Sequence, residues 1–199
     1  MGCFKKLINM LILSFAVIGF VSIGGPDWVS QNFNAFMSDK KNPFEMNTSS
    51  LGDFSKLDSE FEIDKSMNFF GYKGVLAEHN ASGQKFIILD TKEVLLTEDD
   101  IKSDDLEEKM MRLIKKQRRN SITPSEFKIT SRGTIKAYGK KVPYAKFTAK
   151  VRKLPMGNLN GMVAVVETEG ENNKILVSAN QSDKYSQLIS KQFFGQLSK

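Results

Sequence analysis

The first feature of the chain is an unbroken apolar stretch. After Lys5 and Lys6 the next charge is Asp27, which leaves twenty uncharged positions, and Leu7 to Ile23 is dominated by Leu, Ile, Val, Phe and Met. Such a run has no polar face to offer water, so it predicts a membrane-directed segment rather than a surface helix. As a helix, Phe4 to Gly25 extends roughly 33 Å, enough for a bilayer core of about 30 Å. The alternative is a cleavable signal, with Lys5 and Lys6 as its basic region, Leu7 to Ile18 as its apolar region, and Ser22 and Gly24 at the cleavage site. Residues 1–25 are therefore read as a signal-anchor or signal peptide. Apolar character continues past the core of the run, and Trp28 follows the Gly24-Gly25-Pro26 break where an interfacial aromatic belongs. Both features favour an anchor. Two lysines precede the span, whereas Pro26 to Lys40 carries Asp27, Asp39 and only the distal Lys40, so the positive-inside rule puts the N-terminus in the cytoplasm and the domain outside it. Cleavage would instead leave a secreted or periplasmic protein.

Residues 26–60 are rich in Asn, Ser, Asp and Lys, with isolated aromatics (Phe33, Phe36, Phe44, Phe54) that follow no period of two or 3.6. They read as a polar tether of about 30 Å on random-coil scaling, some of whose phenylalanines dock onto the domain or the membrane interface. The body spans residues 61–199. Phe69 to Ala77 and Phe86 to Leu89, separated by Asn80-Ala81-Ser82-Gly83, predict a hairpin. Ser103 is placed as the N-cap of a helix running to Asn120, with Leu106, Met110, Leu113 and Ile114 as its apolar stripe; Thr97 is a second cap candidate. Four further strands are predicted over Phe127–Tyr138, Val142–Val151, Met162–Val166 and Ile175–Val177. Pro143 suggests a strand start or an edge. A closing helix after Ser182 carries Tyr185, Leu188, Ile189, Phe193 and Leu197. The fold class is α+β: an antiparallel sheet of about six strands with two packed amphipathic helices.

Composition narrows the chemistry. The chain has 199 residues and a net charge of +6, which falls to +4 (27 against 23) once Lys5 and Lys6 are set aside, too little to argue for nucleic acid. Its single cysteine, Cys3, precedes the body, so disulfides, cysteine zinc sites and a cysteine nucleophile are excluded there, and the lone histidine, His79, excludes multi-histidine metal sites. No cofactor is implied. His79 is the one side chain whose ordinary titration lies near neutrality, but its setting is that of a turn residue. Ser82 and Ser182 lie in turns that could host a nucleophile, yet no G-x-S-x-G elbow occurs. No catalytic residue is assigned. Glu98-Asp99-Asp100 and Asp104-Asp105 lack the alternate spacing of a calcium loop and suit the start of a helix. The cluster Lys115, Lys116, Arg118 and Arg119 suits a helix end and doubles as a candidate patch for an anionic partner.

The order of export segment, hairpin, charged helix, antiparallel strands and closing helix, with the passage Lys174-Ile175-Leu176-Val177-Ser178-Ala179-Asn180 through Phe193, resembles the Mog1/PsbP-like α+β fold across Phe61 to Leu197. The resemblance implies a binding or accessory module. The leading expectation is thus a membrane-tethered, extracytoplasmic, non-enzymatic interaction domain with a protein partner at the envelope. The alternatives are an enzyme using Asp, Glu, Ser and Lys, and a small-molecule or lipid carrier.

Overall fold

The computed structural model describes residues 51–69, 72–90, 94–115, 124–151, 158–168 and 173–198. The export segment and residues 26–50 of the tether lie outside them. Seven strands form one antiparallel sheet: β1 (Phe61–Phe69), β2 (Tyr72–His79), β3 (Lys85–Asp90), β4 (Pro124–Ala137), β5 (Lys140–Val151), β6 (Asn158–Val166) and β7 (Lys174–Gln181). Their spatial order is β1-β2-β3-β7-β6-β5-β4. The chain thus lays down a three-strand meander, crosses to the far edge, and returns in a four-strand meander whose last member pairs with β3. The crossing carries helices α1 (Glu98–Lys102) and α2 (Leu106–Lys115); α3 (Gln187–Gln196) follows β7.

Helices pack on both faces of the sheet. On one, Leu76, Ile87, Val163, Val177 and Phe147 pack with Ile101 of α1 and Leu106 and Met110 of α2. On the other, Phe86, Ile88, Leu176, Met162 and Val142 pack with Phe193 and Phe194 of α3. This explains the continuous apolar runs of β3, β6 and β7, since a strand buried on both sides has no polar face to alternate with. The α+β class is as expected, but there is one more strand than the sequence suggested. The run from Phe69 to Ala77 is divided between two strands, with Phe69 opposite Tyr72. Phe61 to Phe69 mixes charged and apolar residues because it is an edge, and so gave little signal.

The predicted helix from Ser103 is also divided. Thr97, not Ser103, is the first N-cap: its hydroxyl accepts from the Asp100 N–H (3.1 Å) while Asp100 accepts from the Thr97 N–H (2.8 Å), a reciprocal capping box. Ser103 ends α1, donating its N–H to the Asp99 carbonyl (2.9 Å). The reason lies in helical periodicity. Ile101 and Leu106 are both fully buried, yet in one continuous helix they would stand about 140° apart, and only a break lets both reach the sheet. Arg132 of β4 donates to the carbonyls of Ile101 (3.1 Å) and Ser103 (2.7 Å), and Glu107 accepts from the Ile129 N–H (2.6 Å). The helix pair thereby occupies part of the exposed β4 edge.

β4 and β5 are joined by a two-residue turn in which Tyr138 (φ 50°) and Gly139 (φ 75°) are both left-handed, the type I′ geometry that matches strand twist. Pro143 does not mark an edge, because β5 is interior; its missing N–H faces the β6 side, where pairing begins only at Tyr144. Leu51 to Glu60, read as the end of the tether, lies on the body. Leu51 is fully buried, Tyr138 donates its hydroxyl to the Leu51 carbonyl, and the Asp53 N–H donates to the Ser198 carbonyl (2.9 Å). Gly52 (φ +145°) permits this approach, since a Cβ there would meet Tyr138 and Ser198 at 2.9 Å. Phe54 and Leu57 pack on the same cluster.

Gly161 stands opposite Phe147 on β5, and a Cβ on it would lie 2.3 Å from the Phe147 ring and 2.6 Å from the Ser178 carbonyl. Because one obstacle is backbone, Gly161→Ala is expected to cost about 1–3 kcal/mol by overpacking, seen as a lower urea midpoint at unchanged slope. Gly139→Ala meets nothing within 4 Å and strains only its positive φ, so it should cost about 1 kcal/mol. An equal or larger loss at Gly139 would show that ring contact at Gly161 is not the constraint.

Candidate functional site

Polar and titratable side chains converge where β2 turns into β3. The His79 N–H donates to the Gln84 carbonyl (2.9 Å) and the Gly83 N–H to the His79 carbonyl (2.8 Å), closing the turn. Within it, the Ser82 N–H donates to His79 Nδ1 (3.2 Å). Nδ1 is therefore an acceptor and the neutral ring carries its proton on Nε2. Ser82 Oγ lies 2.9 Å from Nδ1 and accepts from the Gln84 N–H (3.2 Å). On the other side, Nε2 faces Glu60 Oε2 at 3.8 Å. The ring leans on Phe61, with centroids 5.2 Å apart, and the residue is only 7 % exposed. The expected turn histidine is thus found in a turn, but as a buried part of it.

On the opposite face of the same hairpin, Lys85 is 2 % exposed and sits between Glu78, its cross-strand partner, and Asp64 (3.6 Å). Asp64 occupies the register shift between Ile63 and Lys65 of β1, and such a bulge re-aims a side chain. Both carboxylates engage its Nζ, so the side chain is held within the hairpin. Behind the turn, Gln84 is fully satisfied: its amide donates to the Ser186 carbonyl (3.1 Å) and Ser190 Oγ (2.9 Å) and accepts from the Ser186 N–H (2.8 Å). Ser190 Oγ continues to Ser178 Oγ (2.8 Å) and Tyr185 (3.2 Å). Burial, opposed by these hydroxyl contacts, raises the Tyr185 phenol above its ordinary range. Asn180 donates to the carbonyls of Ser82 (3.1 Å) and Lys184 (3.2 Å). The network fixes the start of α3, whose N-cap is Ser186 rather than Ser182.

A line from carboxylate through imidazole to hydroxyl is one that nucleophilic catalysis can use. Here each of its members also closes the turn or faces the Leu51–Glu60 segment.

A second feature lies on the α3 side of the sheet, beyond the helix, where three transverse rows are open to solvent. Cross-strand register sets Glu126 beside Lys150 and Asn158, Lys128 beside Thr148 and Asn160, and Ser131 beside Lys146. Lys128 is 65 % exposed at its side chain and pairs with Glu126 at 2.8 Å; that pairing holds the Glu126 carboxyl below its usual range. Lys150 is exposed and Lys146 half-buried. Gln187 of α3 bounds the patch, donating to the Tyr144 hydroxyl (2.7 Å). The sequence carried a signal for it: Ala145, Phe147 and Ala149 alternate inward, so Lys146, Thr148 and Lys150 must share the other face.

Of the basic cluster expected to form a patch, the Lys115 backbone ends α2, while Lys116, Arg118 and Arg119 lie outside the described residues. Among the described residues, no group of three or more His, Cys, Asp or Glu side chains could hold a metal ion, and no helix is long and apolar enough to cross a membrane. The chain matches no family model and no curated protein.

His79→Ala removes the buried ring that fills the turn and takes the acceptor from the half-buried Ser82 N–H, so a stability loss of about 1–3 kcal/mol is expected by chemical denaturation. A change under about 0.5 kcal/mol would show that the turn does not need the ring. Asp100 gives a pH-dependent counterpart. Its burial opposes ionisation, but the Lys109 ammonium and the Thr97 cap outweigh that and hold the carboxyl below its usual range. A depressed folded-state value means a contribution that is complete above the ordinary aspartate range and is lost as pH falls through the lower folded value. Lys109→Gln should move the Asp100 titration, followed by carboxyl NMR, upward. An unmoved titration would assign the shift to the cap alone.

Proposed function

We propose that the chain is a membrane-tethered, extracytoplasmic domain that works by binding a partner at the envelope rather than by catalysis. The observation that carries this reading is that His79, Ser82 and Lys85, the side chains best suited to chemistry, are each engaged by partners that hold the hairpin end together. A group whose hydrogen bonds close its own turn must break them to act on a substrate, which costs what the turn gains from them. The apolar run Leu7–Ile23 and the lysines before it supply the tether and its direction. The element order that resembles the Mog1/PsbP-like accessory modules supports the same reading by analogy of fold.

An enzymatic reading rests on one observation, the alignment of Glu60, His79 and Ser82. The two readings part on reactivity. A serine-directed fluorophosphonate is expected to leave Ser82 unmodified in the folded chain, and modification at Ser82 that disappears in His79→Ala would put the enzyme first. Full-length protein is expected to stay with membranes through high-salt and carbonate washing, and protease added outside intact cells or spheroplasts should digest the body. Recovery of a mature N-terminus near Gly25 would replace the anchor with a cleaved signal, and protection from the protease would reverse the topology.

A further inference from the structure

We infer that His79 is a proton-operated switch between the β2–β3 turn and the Leu51–Glu60 segment. When neutral, the ring holds the turn; when protonated, it releases the Ser82 backbone and draws in Glu60. The device goes beyond the binding reading and works whether or not the domain is tethered.

In the neutral state the ring is closed on the turn. Nδ1 accepts from the Ser82 N–H (3.2 Å) and lies 2.9 Å from Ser82 Oγ, which accepts from the Gln84 N–H (3.2 Å). A protonated imidazole is a donor at both nitrogens. The bond from the Ser82 N–H therefore ends when Nδ1 takes a proton, because two N–H groups then face each other. Ser82 Oγ is the acceptor beside Nδ1, so the hydroxyl turns a lone pair to the ring, and the half-buried Ser82 N–H loses its partner.

The groups around the ring determine where the new charge is held. The Leu51–Glu60 segment brings Glu60, whose Oε2 stands 3.8 Å from Nε2. Asp58 lies beyond it, and Gln192 of α3 donates to both carboxylates (3.3 Å to Glu60, 3.1 Å to Asp58). β1 brings the uncharged Phe61 ring, and β7 brings Asn180, which donates to the Ser82 carbonyl (3.1 Å). Asp183 and Lys184, after β7, and Lys191 of α3 are exposed. Glu62 and Asp64 of β1, with Glu78 and Lys85, belong to the other face of the hairpin, where Lys85 engages Glu78 and Asp64. Glu60 is thus the charge that an imidazolium meets, and their contact has room to close to a charge-assisted hydrogen bond of about 2.8 Å.

Backbone bonds connect the switch to its surroundings. The Asn80 N–H donates to the Glu60 carbonyl (2.8 Å) and its side-chain amide to the Ser59 carbonyl (3.1 Å), so the segment is held by the residue that follows His79. Release at Ser82 is passed on through Asn180, which bonds the carbonyls of both Ser82 and Lys184 ahead of α3. Histidine is the side chain that ordinarily gains a proton near neutrality, the property on which protein pH sensors are built.

The test is NMR of the isotope-labelled full chain in neutral detergent between about pH 8 and about pH 5, a span that brackets the ordinary histidine value of about 6.5. The chain has one histidine, so the imidazole signals belong to His79. At the alkaline end Nδ1 should be the unprotonated nitrogen; a proton there overturns the proposal. As the ring takes its proton, the Ser82 amide resonance should move in step with it. The protection of that N–H, corrected for intrinsic exchange, should fall about tenfold. Over the same range the Asn80 N–H should gain about threefold in protection as Glu60 closes on the ring, while the Asp53 N–H, bonded to Ser198, should not respond. A Ser82 amide that ignores the imidazole, or moves only in the carboxylate range of about 4, overturns the switch, as does equal loss at Ser82, Asn80 and Asp53. Glu60→Gln should keep the Ser82 response and abolish the gain at Asn80; a retained gain overturns the role of Glu60. His79→Gln keeps a polar side chain without the titration, and a Ser82 response that persists in this variant overturns the role of His79. The measurements on the unaltered chain decide the matter even if that variant fails to fold.

Discussion

The pairing of β3 with β7 closes the fold. It sets Lys85 through Asp90 against Ala179 through Lys174, across a stretch of chain that contains α1, α2 and three strands. Bringing such distant segments together costs loop-closure entropy before any contact is gained, and this seam recovers it by burying apolar residues on both faces. Ile87, Leu89, Ile175 and Val177 point one way and Phe86, Ile88 and Leu176 the other. Each set needs a cover. The crossing that carries the chain to the far edge supplies one in α1 and α2, and the segment after β7 supplies the other in α3.

Behind the β2–β3 turn, polar groups enter this interior as a mutually bonded set. Gln84, Ser178 and Ser190 are fully buried, and their mutual bonds hold the start of α3 against β3 and β7. Partly satisfied, such a network would be costlier than apolar packing; complete, it fixes one position for the helix. Leu51 to Glu60 then runs beside α3, bonded through Asp58 to Gln196 and Gln192, with Glu60 facing His79 at 3.8 Å. The two ends of the described domain meet at Tyr138, whose N–H donates to Leu197 (3.1 Å) and whose hydroxyl donates to Leu51. Burial there, with the nearby Asp90 charge, raises the Tyr138 phenol and keeps it a donor.

Away from the seam the demand relaxes. β4 and β5 have one face packed under the α1–α2 pair, through Phe127, Phe147 and Ala149, while part of the other lies past the reach of α3. Lysines stand open to solvent there, whereas in the middle of the sheet Lys85 is buried between two carboxylates and Lys174 is buried opposite Asp90 and over the Tyr138 ring. The open face is thus a consequence of where a ten-residue helix stops short of covering a wide sheet.

The local pattern of side chains was enough to set much of this architecture. Alternation marked β4 and β5, continuous apolar runs marked β3, β6 and β7, and Thr97 with Asp100 marked a cap, because burial and capping depend on residues a few positions apart. The apolar run near the N-terminus likewise carries its own expectation in its length and charge. What lies between distant positions was not legible. Ser103 reads as an N-cap until Ile101 and Leu106 must reach the same sheet. Leu51 reads as tether until Tyr138 and Ser198 are placed beside it, and Phe61–Phe69 reads as irregular until β2 offers it a partner. His79 and Ser82 are near neighbours in sequence, yet the approach of Glu60 to the far side of the ring depended on the path of another segment. The lysine face divided the same way: alternation put Lys146 and Lys150 on one side of β5, whereas Lys128 joined them only through cross-strand register. Register and solvent access are properties of the whole packed sheet, and no window of sequence contains them.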